Sequence, residues 1–185
     1  MQTTLINDLL IQGQVKVPAD MMPALRSDHA GETGAVYIYR GICAVSFDTS
    51  LRAFAREHQA TEERHLAIMN QLVPQRKQSR LLAVWRAAGW ITGALPALFG
   101  AEAVYRTIDI VESFVDQHYL EQIDALRDRP DDQALRGILE ACRADELLHR
   151  DEARSRVGSP GRLGDLWGAI VGLGSRAGVY VASRI

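Results

Sequence analysis

The chain has 185 residues, 47% hydrophobic and 24% charged, enough for one domain with a substantial core and too few for two of ordinary size. Its formal net charge of −2 comes with no clustered basic excess, which excludes a nucleic-acid footprint. Only Cys43 and Cys142 occur, without a CxxC, and no basic-then-apolar leader opens the sequence, so a reducing, cytoplasmic compartment is expected.

Pro18-Ala19-Asp20 can open a first helix carrying Met22, Leu25, Ala30, Val36 and Ile38, which breaks near Phe47-Asp48, where Asp48 or Thr49 can cap the next. That second helix is expected to run to Leu72. Pro74 and the polar Gln75-Arg76-Lys77-Gln78-Ser79 make a loop, and a third helical region follows from about Leu81 to Leu126, with a break between Pro96 and Gly100. Pro130 stops it, and Asp131 or Asp132 can cap a helix reaching about Arg156. Gly158-Ser159-Pro160-Gly161 then separates off a last helix from about Leu163 to Arg184. No alternating, β-branched pattern of useful length interrupts this series. The class is therefore all-α, with helices long enough for a four-helix bundle.

Two of the five histidines stand three residues after a glutamate, in Glu62-Glu63-Arg64-His65 and Glu146-Leu147-Leu148-His149. Three residues advance a helical side chain by about 300°, so each Glu and its His share a face one turn apart and can close on one metal ion. With ten glutamates in the chain, two such pairs arise by accident roughly three times in a hundred, which makes solvated surface charge the weaker reading. Glu32 lies 30 residues before Glu62, and Glu112 lies 34 residues before Glu146. Each half thus reads as a helix with a lone Glu followed by a helix with Glu-x-x-His. Antiparallel hairpins of that length set these residues at similar heights and bring four carboxylates and two imidazoles into the core, the ligand set of ferritin-like di-iron and di-manganese bundles. Carboxylates bridge two metals and change denticity with oxidation state, while one imidazole per metal leaves positions open for dioxygen. A structural zinc site would call for cysteines or more histidines.

Five motifs in order carry a resemblance: Asp28-His29-Ala30-Gly31-Glu32-x-Gly34-Ala35, the Glu62-x-x-His65 helix, Val111-Glu112 followed by His118-Tyr119, Asp145-Glu146-x-x-His149-x-Asp151, and Arg176-Ala177-Gly178-x-Tyr180-x-Ala182-Ser183-Arg184. Over about residues 25 to 185 the chain resembles the demethoxyubiquinone hydroxylase family of ubiquinone biosynthesis. It departs from the family's pattern at Ser113, where a second Glu is frequent, at Gln117, where a His is frequent, and along Leu95 to Arg106. The resemblance implies a single ferritin-like domain over 1–185, with an N-terminal extension over 1–18 and an extra C-terminal helix over 160–185. It also implies two iron ions per chain on Glu32, Glu62, His65, Glu112, Glu146 and His149. Dioxygen and NADH-derived reducing equivalents would be co-substrates, and a polyprenylated benzoquinone the molecule hydroxylated. The assignment of Glu32 leans on the resemblance most. Tyr119 falls seven residues after Glu112 and so on nearly the same face, pointing to the pocket, whereas His118 is rotated by roughly 120°; the resemblance implies that this His-Tyr pair helps electron entry. Asp145, one turn before His149, can orient an imidazole of its own helix or across the bundle. His29 stays outside the ligand set, and both cysteines read as small core residues.

A long-tailed quinone lives in the bilayer, so the protein must reach a membrane without crossing it. Ala87 to Ala101 holds no charge and contains Trp90, Leu95, Leu98 and Phe99, but fifteen residues interrupted by Gly and Pro are short for a span. Interfacial docking is expected, with Arg76, Lys77, Arg80 and Arg86 set to pair with anionic headgroups. The competing reading is a helix packed on the bundle through Gly89-x-x-x-Gly93. The last helix can equally pack against a subunit or a tail-binding groove. A peripheral location on the cytoplasmic face of the cell membrane follows, with room for a homo-oligomer and for contacts with other ubiquinone-biosynthesis proteins. The alternatives are an iron-oxidising or storage protein of the ferritin or rubrerythrin type, a di-iron oxygenase acting on another lipid, and a helical scaffold that binds no metal.

Overall fold

The computed structural model describes residues 15–158 and 162–185. The expected N-terminal extension lies outside the described residues through position 14, as do Ser159, Pro160 and Gly161 of the expected linker. Six α-helices and no strand occur among the described residues: α1 (Met22–Val45), α2 (Thr49–Leu72), α3 (Leu82–Ala97), α4 (Ala101–Ala125), α5 (Gln133–Arg154) and α6 (Arg162–Ala182).

Local chemistry accounts for most of the boundaries. Asp48 caps α2, its Oδ1 accepting from the backbone N–H of Ser50 and Leu51 at 2.8 and 3.1 Å. Gly100 joins α3 to α4 with φ of +103°, a conformation that favours glycine. Two starts differ from expectation. Pro18 to Asp20 precede α1, which begins at Met22. Asp132 stands at the start of α5 without a side-chain cap bond. The short 3-10 turn Pro130–Asp132 holds it at φ −106° and ψ 11°, outside the extended region from which a carboxylate reaches back to the helix N–H groups.

The bundle pairs α1 with α2 and α4 with α5 as antiparallel hairpins, and its core divides into two apolar layers. One holds Leu25 of α1, Met69 and Leu72 of α2, Tyr119 and Ile123 of α4, and Leu135 and Leu139 of α5. The other holds Tyr39 and Ile42, Leu51 and Phe54, Val104 and Ile108, and Ala153. Along every one of these four helices the lone Glu or the Glu-x-x-His pair falls between the two layers. Burying a Leu contributes about 1.5–3 kcal/mol, and each layer holds several large side chains less than 2% exposed. The apolar layers therefore offset the cost of holding a polar layer between them.

The apolar segment expected to meet lipid has two faces. Toward α1 it presents glycines so close to backbone that no side chain fits: a Cβ at Gly93 would fall 1.9 Å from the Ile38 carbonyl oxygen, and one at Gly89 2.2 Å from that of Gly34. Away from α1 it shows Trp90, Ile91 and Leu95, and the turn beyond it Leu98 and Phe99, the last two 68% and 78% exposed. Packing and exposure are thus properties of opposite sides of one helix. No described helix is long and apolar enough to cross a membrane. Helix α6 lies across α1 and α4, with Leu166, Ile170, Leu173 and Tyr180 exposed along it.

Candidate metal centre

The connection of α1 to α2 needs only Ser46 to Asp48, so the chain folds straight back and Glu32 meets Glu62 and His65. The connection of α4 to α5 is longer and does the same for Glu112, Glu146 and His149. All six side chains are buried. Glu32, Glu62, His65 and Glu146 offer ligand atoms within 4.8 Å of one another, and so do Glu62, Glu112, Glu146 and His149. Glu62 and Glu146 belong to both groups.

His65 Nδ1 lies 2.8 Å from Glu146 Oε1, 3.8 Å from Glu32 Oε2 and 3.9 Å from Glu62 Oε2. His149 Nδ1 lies 3.0 Å from Glu62 Oε1 and 3.3 Å from Glu146 Oε2. These close approaches lack hydrogen-bond alignment: both Nδ1 atoms, Glu62 Oε1 and both oxygens of Glu146 are buried with no hydrogen-bond partner among the described residues. An unsatisfied buried polar atom costs about 1–3 kcal/mol, and five of them converge here. Oxygen and imidazole donors converging in two overlapping sets fit a pair of first-row divalent cations.

Electrostatics point the same way. Burial, reinforced by the charges of Glu62 and Glu146, holds the carboxyl groups of Glu32 and Glu112 well above the usual range. Burial would also raise Glu146, but the imidazoles of His65 and His149 overcome it and bring it down to about 2. Burial would lower the two imidazoles, and the carboxylates around them reverse this, taking His149 up to about 9 and His65 well above its ordinary value. Without a metal, protons supply the positive charge that four clustered carboxylates require.

Each outlying candidate takes a definite place. Asp145 reaches across the bundle, its Oδ2 3.1 Å from Nε2 of His65 rather than near His149 on its own helix. Tyr119 donates its hydroxyl to Glu32 Oε1. His118 Nε2 sits 3.0 Å from Asp28 Oδ1 and 3.1 Å from Ser27 Oγ, and Gln122 Nε2 donates to the same Asp28 oxygen at 2.9 Å. His29 bonds the Asn70 side chain at 3.0 Å and joins neither ligand group. Burial pushes the Cys142 thiol up to about 12, as suits a core residue. Trp90, Leu95, Leu98 and Phe99 are all exposed, on or just beyond the outer face of α3 and away from the ligand groups.

Sequence reasoning missed Tyr39, whose hydroxyl donates to Glu112 Oε1 at 3.3 Å. The signal was there: Tyr39 stands seven residues after Glu32 as Tyr119 stands seven after Glu112. Each tyrosine serves the lone Glu of the other hairpin. Also missed was His58, whose ring lies 4.1 Å from that of His149 at 86° and whose Nε2 is 3.1 Å from Glu152.

A cavity of about 320 Å³ opens onto this layer between α1, α3, α4 and α6. Glu32, Glu62, Glu112 and Glu146 form one side of it with His118 and Tyr119. Its other walls are mainly small or apolar, including Trp85, Ile38, Val111, Phe114 and Val171. Helix α6 covers one side of this cavity, with Trp167, Gly174 and Gly178 lining it.

Residues 19–182 match a family model described as ubiquinone biosynthesis protein COQ7. The chain is 32% identical over 179 residues to the 3-demethoxyubiquinol 3-hydroxylase of Rhodospirillum rubrum, covering 92% of this chain and 84% of that protein. It is 31% identical over 164 residues to the mitochondrial NADPH-dependent 3-demethoxyubiquinone 3-hydroxylase of Dictyostelium discoideum, covering 87% of this chain and 76% of that protein. The enzyme of the same name from Mus musculus is 30% identical over 164 residues, covering 86% and 76%.

Proposed function

This chain belongs to the family of ubiquinone biosynthesis protein COQ7, and from that premise we propose that it is a di-iron monooxygenase hydroxylating the ring of a polyprenylated demethoxyubiquinol. The observation that carries the reading is a buried layer of carboxylates and imidazoles, five of its atoms unsatisfied, exposed to one apolar cavity. Glu32 and His65 would hold one iron, Glu112 and His149 the other, and Glu62 and Glu146 would be shared. Two bound iron ions supply the activation of dioxygen. In balance, a ring C–H, dioxygen, two electrons and two protons give the ring C–OH and water.

The chain's own residues do the rest. The apolar walls of the cavity exclude water and position the ring against the carboxylate layer. Tyr119 and Tyr39 hold Glu32 and Glu112 by hydrogen bonds, so that the two unshared carboxylates keep their orientation. His118, steadied by Asp28 and Ser27, stands on the cavity wall next to Tyr119, and this pair forms a route from the cavity to Glu32 for electrons from a reduced nicotinamide. The Dictyostelium and mouse relatives are named as NADPH-dependent; NADH is the donor expected for this chain. The isoprenoid tail would leave past α3 and α6, whose outer faces carry Trp90, Leu95, Ile170 and Leu173, with Leu98 and Phe99 just beyond α3. These would dock a single ferritin-like domain peripherally on the membrane.

Quinone analysis of a cell lacking this protein tests the function. The expected result is accumulation of the precursor short of one ring hydroxyl, with ubiquinone restored by the wild-type chain and not by His149→Ala. Normal ubiquinone in the deletion strain, with no other hydroxylase present, would overturn it.

A further inference from the structure

The two hairpins are related position by position. Shifting α1 by 80 residues carries Glu32 onto Glu112 and Tyr39 onto Tyr119; shifting α2 by 84 carries Glu62 onto Glu146 and His65 onto His149. The correspondence fails directly behind the imidazoles. Asp145, which bonds Nε2 of His65 across the bundle, has Thr61 as its counterpart, and Cys142 has His58.

The imidazoles therefore meet the metal layer with different backing. His65 turns Nδ1 to the carboxylates, and its Nε2–H donates a hydrogen bond to the Asp145 carboxylate at 3.1 Å, which fixes the ring and makes its inner nitrogen a stronger ligand. Among the described residues no carboxylate reaches Nε2 of His149. Thr61 offers a neutral hydroxyl in place of a carboxylate, and the hydrogen bond it makes is to Arg64, at 3.0 Å. Packed against the His149 ring is His58, a second imidazole edge-on to it and itself tied to Glu152.

We propose that the two metal positions are unequal, the one built on His65 binding its ion more tightly than the one built on His149, with Asp145 as the positioning residue that sets the difference. The inference rests on the six-ligand reading above and adds to it an order of filling. The His65 position fills first and is the last to empty, so mild chelation leaves a half-loaded protein with its ion on Glu32, Glu62, His65 and Glu146.

Cobalt(II) titration by calorimetry under anaerobic conditions tests this without recourse to catalysis. Sharing of Glu62 and Glu146 makes the second ion weaker in any case, so the comparison is made in variants that keep one position each. His149→Ala, which keeps the His65 position, is expected to bind one ion about 10–100-fold more tightly than His65→Ala. Adding Asp145→Asn to His149→Ala should remove that advantage, whereas adding it to His65→Ala should change little. Asp145 is partly exposed, so this substitution leaves packing intact, and circular dichroism of the metal-free forms verifies the fold. Equal affinities in the two histidine variants, or an effect of Asp145→Asn below about threefold in His149→Ala, would overturn the inequality. Wild-type protein that binds no cobalt, manganese or iron would instead sink the metal reading itself.

Discussion

Glu62 and Glu146 belong to both ligand groups, whereas Glu32 and Glu112 belong to one each, and removing one carboxylate of each kind separates the two roles. In Glu112→Ala one position keeps four protein ligands and the other keeps three; in Glu146→Ala both keep three. An ion present at a hundred times its dissociation constant adds about 2.7 kcal/mol of stability, so two ions add about 5 kcal/mol. For a chain of this size each kcal/mol moves Tm by about 2–4 °C, which gives a metal-dependent rise of about 10–20 °C in the wild type. Glu112→Ala should keep roughly half of that rise and Glu146→Ala very little. The metal-free forms are compared first, because removing Glu112 leaves the buried Tyr39 hydroxyl without its acceptor, a cost of about 1–3 kcal/mol that is separate from metal binding. Differential scanning fluorimetry with and without iron(II), alongside elemental analysis, reads both numbers. Equal loss of the metal-dependent rise in the two variants would refute the sharing, and an unchanged rise in both would refute the site.

The pH dependence follows from the imidazoles. His149 sits at about 9 in the folded chain against an ordinary 6.5, so its contribution to metal-free stability, on the order of 3 kcal/mol, is present below pH 6.5 and lost as pH rises through about 9. Glu32 and Glu112 act in the same direction, while Glu146, at about 2, contributes above 4.5 and loses its share only as pH falls toward 2. A metal must displace those protons, so the gap in Tm between loaded and metal-free protein should widen from pH 6.5 to 9; a gap that narrows is the contrary result. Gly93→Ala should cost about 1–3 kcal/mol in urea unfolding, since its Cβ would meet the Ile38 carbonyl at 1.9 Å, whereas Gly137→Ala, with nothing within 4 Å, should stabilise α5 by about 0.5–1 kcal/mol. Equal effects would mean that α3 does not rest on α1 as described. Trp90→Ser with Phe99→Ser should reduce flotation with anionic vesicles, and added salt should reduce it further by screening Arg76, Lys77, Arg80 and Arg86. Wild-type protein left in the soluble fraction at low salt would end the docking reading.

What the sequence determined by itself was whatever depends on near neighbours along the chain. Asp48 ahead of α2, Gly100 between α3 and α4, and Pro130 ahead of α5 mark boundaries through the conformations and donors of one or two residues. Glu-x-x-His is legible for the same reason, since a helix sets the angle between positions three apart whatever surrounds it. The tertiary structure alone decided which faces meet. That Glu62 and Glu146 are shared, that Asp145 serves His65 on α2 and not His149 on α5, and that Tyr39 answers to Glu112 are contacts between residues 73 to 84 positions apart. Asp145 lies one turn from His149 and reads equally well as its partner, until α5 packs beside α2 and brings the carboxylate to Nε2 of His65. The apolar segment of α3 offered two readings because hydropathy does not record which side of a helix is covered; the glycine side packs on the backbone of α1, and the aromatic side is left exposed because nothing else in the described chain reaches it.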